Sequence, residues 1–212
     1  ETANFLGGMA TRSLVGPFMT CFDAAGEQMI IKGLFEEIVD RMVAKGGAIH
    51  PKDVRATTPY SAWITAGHDH CTPFEPECMK LVLDEMVEEA GIKVLFHTDF
   101  IEPILKGGRI TGAVISNKAG LQMVDAKVVI DCTGDGDVAY RSGVPCHFGN
   151  ENGKPQPSTA FFHINNVDSK KLEADVQKHL HEFRKVDGVS YRALHWWVAE
   201  AEKNGEWDIA RK

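Results

Sequence analysis

Val128-Val129-Ile130-Asp131-Cys132-Thr133-Gly134-Asp135-Gly136-Asp137 is the stretch on which the reading of this chain turns. Its β-branched apolar run predicts a strand, and the run ends abruptly in small, turn-forming, acidic residues. Val138-Ala139-Tyr140-Arg141 then has helical character. A strand-loop-helix junction of this kind leaves backbone N–H groups without partners at the helix start, and small loop residues let an anionic ligand approach them. Asp135 and Asp137 argue against a bare phosphate pocket, because like charges repel. The loop therefore suits hydroxyl groups, such as those of the sugar-like part of a nucleotide.

Upstream, residues 100–125 predict a β-meander. Phe100 to Leu105 and Arg109 to Ser116 flank the turn Lys106-Gly107-Gly108, and Asn117 to Gly120 turns the chain again into Leu121 to Asp125. Ile92 to Thr98 and Lys127 to Cys132 read as further strands. Pro76 suits a first helical turn, Met79, Val82, Leu83, Met86 and Val87 form one stripe, and Gly91 ends the helix. Another helix is expected from Ala24 to Lys45, with Gly46-Gly47 as its stop. Residues 1–23 read as a Gly-rich loop whose Phe5, Leu6, Met9, Phe18 and Met19 need packing. After a polar linker at 150–157, Ser158 to Ile164 reads as a strand, and Asp168 to Lys185 and Ser190 to Lys203 as helices. These observations predict two domains, 1–149 and 150–212.

Composition narrows the function classes. The chain has 212 residues, 43% of them hydrophobic, and a net charge of −7. That balance argues against a nucleic-acid or anionic-membrane surface, which needs clustered Lys and Arg. No apolar run reaches the length of a membrane span. Five irregularly spaced cysteines favour reduced thiols in a cytoplasmic protein. The absence of a C-x-x-C pair speaks against structural zinc.

Ile130-Asp131-Cys132-Thr133-Gly134-Asp135-Gly136-Asp137-Val138-Ala139 resembles the strand-end signature of FAD-dependent oxidoreductases with the glutathione-reductase-like two-dinucleotide fold. The branch it resembles includes fumarate reductase and succinate dehydrogenase flavoproteins. Glu1 to Thr11, Gly26 to Gly47, Phe74 to Thr98 and Gly143 to Val167 are similar in the same order, so the resemblance runs through roughly residues 1–165. Family members open with a strand, a Gly-x-Gly-x-x-Gly turn and a helix, and a second strand then ends in a ribose-binding acid, which Glu1 matches. The resemblance thus implies a fragment that holds FAD weakly or not at all by itself. The implied fold is α/β: a partial FAD-binding domain with a β-meander, plus part of a mixed α+β substrate or cap domain. Its implied activity is hydride transfer between a small-molecule substrate and flavin. Exposed apolar edges on an incomplete domain would also favour a homo-oligomer.

Each expected site has a plain alternative. On spacing alone, Glu1 followed by Gly7-Gly8 is an ordinary loop. The resemblance makes Glu1 a ribose acceptor and runs Gly7, Gly8, Met9 and Ala10 beside the pyrophosphate and flavin ring. Phe100 matches the position whose main chain recognises adenine, and is otherwise an apolar strand residue. Thr133, Gly134 and Asp135 form either the cofactor loop or a structural turn. His68 and His70 alternate on an extended segment and so face the same way, which allows a metal-dependent hydrolase or a substrate-facing loop. Cys132 is a redox thiol or a small buried residue. Arg141 is a carboxylate partner or a structural salt bridge. Trp196-Trp197 suits packing or an interface. No catalytic acid or base is legible. The runner-up function is a non-catalytic binding module that keeps the fold without the cofactor.

Overall fold

The computed structural model describes residues 1–19, 21–56, 58–64, 68–183 and 195–206. It comprises two compact units, one of residues 1–8 and 84–161 and the other of residues 9–83 and 162–212. Among the described residues, helices and a three-stranded antiparallel sheet make up the regular structure, consistent with an α/β fold.

The first unit is organised by the meander. Strand β1 (Asp99–Lys106) pairs with β2 (Arg109–Asn117) across the Gly107-Gly108 turn, and β2 pairs with β3 (Gly120–Asp125). Both turn glycines have positive φ, 57° and 75°, which a side chain would oppose. The register slips between Phe100 and Glu102, so Ile101 is bulged out of the ladder. Because the order is β1-β2-β3, β1 and β3 are edges, and alternate backbone groups of β1 point away from its partner. The short helix α4 (Asp137–Arg141) packs on β1.

The second unit holds α2 (Leu34–Ala44) and all of α1 (Gly8–Arg12) but its first residue. Its α5 (Ser169–Lys178) is capped by the Asp168 side chain, and α6 (His195–Lys203) follows later in the chain. The long α3 (Pro76–Glu89) begins in this unit. Cys21, Val39, Met42, Val54, Cys71, Met79 and Val82 are buried here. Phe18 stacks on Phe74 with centroids 4.3 Å apart and meets the edge of Phe35. Burial raises the thiol pKa of both Cys21 and Cys71, which keeps them protonated and inert.

Several sequence expectations are corrected. The helix expected from Ala24 starts only at Leu34. Asp23 instead closes a turn, accepting from Gly26 N–H through its carbonyl and from Glu27 N–H through its carboxylate. Both Ile30 and Ile31 then donate back to the Cys21 carbonyl, so 21–31 is a tight hairpin-like loop. Local turn chemistry overrides a helical apolar period here. Residues 127–132 and 158–164 form no strand, because no ladder partner meets them among the described residues. Consequently Val128 and Ile130 are 76% and 81% exposed. Residues 92–98 likewise lie outside any ladder; Ile92 N–H bonds the Val87 carbonyl at the end of α3, the Leu95 carbonyl accepts from the Glu1 amine, and His97 and Thr98 donate to Ala3 and Glu1. Of the apolar residues at 1–23 expected to pack, Met9 and Met19 are exposed. The parts of the expected C-terminal helices at 184–185 and 190–194 lie outside the described residues.

The meander contains one tight approach. Gly112 is buried, and a Cβ there would collide with the backbone carbonyl oxygen of Val124 on β3. Backbone cannot swing aside as a side chain can. Gly112→Ala is expected to lower unfolding free energy by about 1–3 kcal/mol, read by denaturant melting. An unchanged midpoint would contradict the packing described.

Candidate functional site

Asp131 turns the 131–141 loop back on itself. Its Oδ1 accepts from Thr133 N–H at 3.0 Å and from the Thr133 hydroxyl at 2.7 Å, while Oδ2 accepts from Ala139 N–H at 2.9 Å. The i to i+2 bond is the Asx turn that Asp favours. Thr133 Oγ1 in turn accepts from Asp137 N–H at 2.8 Å. Gly136, with φ 72°, is the left-handed N-cap of α4, and Gly134 has φ 82°. Glycine meets no steric penalty at either angle.

This arrangement corrects one sequence inference. Two N–H groups at the start of α4, those of Asp137 and Ala139, are satisfied within the loop and are closed to an anion. The donors left over lie one step earlier. Among the described residues, the N–H groups of Gly134, Asp135 and Gly136 find no acceptor. Gly134 and Gly136 also face open space where a Cβ would stand. The exposed Asp135 carboxylate is beside these donors, so the loop offers both donors and an acceptor to a ligand rich in hydroxyls.

The far end of the loop is tied to the meander. Arg141 Nη1 donates to the Ile101 carbonyl at 2.8 Å and to Glu102 Oε1 at 2.7 Å. The bulge frees the Ile101 carbonyl from the ladder, and Arg141 takes it. Of the two readings for Arg141, the structural salt bridge is the one observed. Phe100 is therefore one residue from the anchor point of the loop that carries Thr133, Gly134 and Asp135.

Glu1 lies in the same unit. Its carbonyl accepts from Thr98 N–H at 3.0 Å, so the first residues run beside 97–98, just ahead of β1. One carboxylate oxygen, Oε1, accepts from Ala3 N–H. Gly7 and Gly8 have φ 109° and 51°, conformations that glycine alone adopts freely. Met9 and Ala10 belong to the other unit, where Met9 is exposed and Ala10 is buried. Ala10 lines a cavity of about 230 Å³ together with Leu14, Pro17, Phe74, Glu75 and His163.

His68 and His70 do not present a common face. His70 has φ 56°, which breaks the extended run that would have aligned them. Its ring is buried, stacked on Phe22 at 4.0 Å, and its Nδ1 lies 3.0 Å from the Pro51 carbonyl. Arg55 Nη1 lies 2.9 Å from Nδ1 and 3.1 Å from Nε2 of the same ring. The His68 ring lies 3.2 Å from the Ser61 carbonyl. No group of three or more His, Cys, Asp or Glu side chains converges among the described residues. Cys132 is exposed rather than buried. Trp197 packs edge-on against His179 at 5.1 Å; the Trp196 side chain lies outside the description.

Sequence reading missed Asp131 and Arg55 as organising residues. The Asp-x-Thr spacing was the available signal for Asp131, since Asp bonds backbone two residues on. Nothing in the sequence pairs Arg55 with His70.

The model of the FAD dependent oxidoreductase family matches residues 1–211. The chain belongs to that family. No curated protein and no solved structure matches it. FAD is accordingly its cofactor, and the 131–141 loop of this FAD-dependent oxidoreductase fits such a ligand. Its free N–H groups, open glycine positions and unshared Asp135 carboxylate suit the hydroxyls of such a ligand.

Asp131 titrates below the usual aspartate range, because Ala139 N–H, then the Thr133 hydroxyl and N–H, bond its charged form. A depressed folded pKa contributes stability that is complete above the unfolded value of about 3.9 and is lost as pH falls through the lower folded value. The Ala139 amide resonance, followed by NMR, is expected to titrate with a midpoint below about 3.9. A midpoint at or above that value would contradict the loop geometry.

Proposed function

We propose that the protein oxidises or reduces a small molecule by passing hydride between that substrate and FAD. The family match across residues 1–211 carries this reading. Bound FAD supplies the two-electron chemistry, and the protein binds, orients and tunes it. Residues 1–149 are assigned to FAD binding and residues 150–212 to a substrate or cap domain.

The resemblance to the family gives each residue its part. Glu1 accepts from a ribose hydroxyl, and its second carboxylate oxygen is left over after the bond to Ala3. Gly7 and Gly8 bring backbone close to the pyrophosphate, which a side chain would obstruct. The main chain of Phe100, on the edge strand β1, bonds the adenine edge. Gly134 presents its N–H, and Asp135 accepts from the sugar-like chain of the cofactor. Thr133 fixes the path of the loop between them.

The test is a visible absorption spectrum of the intact protein, followed by denaturation to release any chromophore. Flavin absorbance with FAD in the supernatant is expected. Asp135→Ala is expected to weaken FAD binding roughly tenfold to a hundredfold, the range for a bond to a charged group. A protein that stays colourless after incubation with FAD would instead support a binding module that has kept the fold and lost the cofactor.

A further inference from the structure

We propose that Asp131 is the positioning residue of the FAD loop, acting through the Thr133 hydroxyl rather than by touching the cofactor itself. The inference rests on the reading that this loop holds FAD, and it assigns a task to a residue that the reading leaves without one.

The direction of the hydrogen bonds is fixed by chemistry. Asp137 N–H can only donate, so Thr133 Oγ1 accepts from it at 2.8 Å. The single Thr133 hydroxyl proton then goes to the Asp131 carboxylate at 2.7 Å. The relay runs from the Asp137 N–H through Thr133 Oγ1–H to Asp131 Oδ1, with no proton left over for a ligand. Thr133 therefore shapes the loop and does not donate a side-chain bond to the cofactor. Contact with ligand hydroxyls falls to the neighbouring Gly134 N–H and the Asp135 carboxylate.

Asp131 needs both oxygens and its charge for this task. Oδ1 serves the two Thr133 donors, and Oδ2 serves Ala139 N–H. An asparagine has the same shape but only one acceptor oxygen. Whichever way its amide is turned, an NH2 group faces an N–H or O–H donor, and one contact becomes repulsive. A residue that merely filled space at this position would tolerate the exchange. The other end of the loop is held independently by Arg141 on Ile101 and Glu102, so loss of the Asp131 end frees only the 131–139 portion.

The experiment compares the intact wild-type protein with Asp131→Asn, Thr133→Val and Thr133→Ser. FAD affinity is measured by quenching of flavin fluorescence, and amide hydrogen exchange is followed at Asp137 and Ala139. Asp131→Asn and Thr133→Val are each expected to weaken FAD binding roughly tenfold or more and to speed exchange at Asp137 and Ala139, with exchange in β1–β3 unchanged. Thr133→Ser, which restores the hydroxyl, restores both readouts. If Asp131→Asn fails to fold, the Val and Ser pair at Thr133 decides the matter. Wild-type affinity in Asp131→Asn or Thr133→Val, whether or not exchange quickens, overturns the proposal while leaving FAD binding intact. A wild-type protein that binds no FAD overturns the functional reading and this inference with it.

Discussion

A carboxylate that gathers several donors costs little to hold in one rotamer and fixes everything those donors belong to. Asp131 has that role here: through three bonds it sets the turn at Thr133, the entry into α4 and the path of the glycines between. The bonds are charge-assisted, which makes them stronger than ordinary loop contacts. The rest of the site inherits its geometry. With Asp137 and Ala139 satisfied internally, the donors left for a ligand are displaced to Gly134, Asp135 and Gly136, next to an acidic side chain.

The meander gives this loop something rigid to stand on. Three antiparallel strands form the sheet of the first unit, and the bulge at Ile101 of β1 is where the loop attaches. A bulge leaves a carbonyl without its ladder partner, and Arg141 satisfies it while also pairing with Glu102. The ion pair itself is exposed and contributes little to stability; its bond to the bulged carbonyl supplies the geometry. Phe100 and the Thr133–Asp135 loop, far apart in sequence, are thereby brought to neighbouring elements of one unit.

How much of this was legible depended on whether the signal was local. The meander was readable because alternation and Gly-containing turns act over a few residues, and α3 because Pro76, its apolar stripe and Gly91 agree with one another. Helix α4 was readable for the same reason. Residues 24–33 misled, because a helical period in Ile30 and Ile31 competes with turn-forming Asp23 and Gly26, and the turn won. The strand expected at 127–132 has the right composition, but a strand exists only with a ladder partner, which its own sequence does not specify. Cys132 was expected to be buried with that strand and is exposed with it. At the site, the loop was found for its small residues and acids, yet the division of labour among Asp131, Thr133 and Asp135 was not. Which carboxylate turns inward is decided by N–H groups as far away as Ala139. The family match gives FAD as the cofactor, but the inward turn of Asp131 is set by the fold.

The most direct measurement is the amide NMR spectrum of the intact protein, recorded while FAD is added. The account predicts that the resonances of Gly134, Asp135 and Gly136 shift strongly, because their N–H groups are the free donors, while Asp137 and Ala139 move little because theirs are already bonded to Thr133 and Asp131. Shifts concentrated at Asp137 and Ala139, or confined to the His68–Cys71 segment with the 134–136 loop silent, would contradict it.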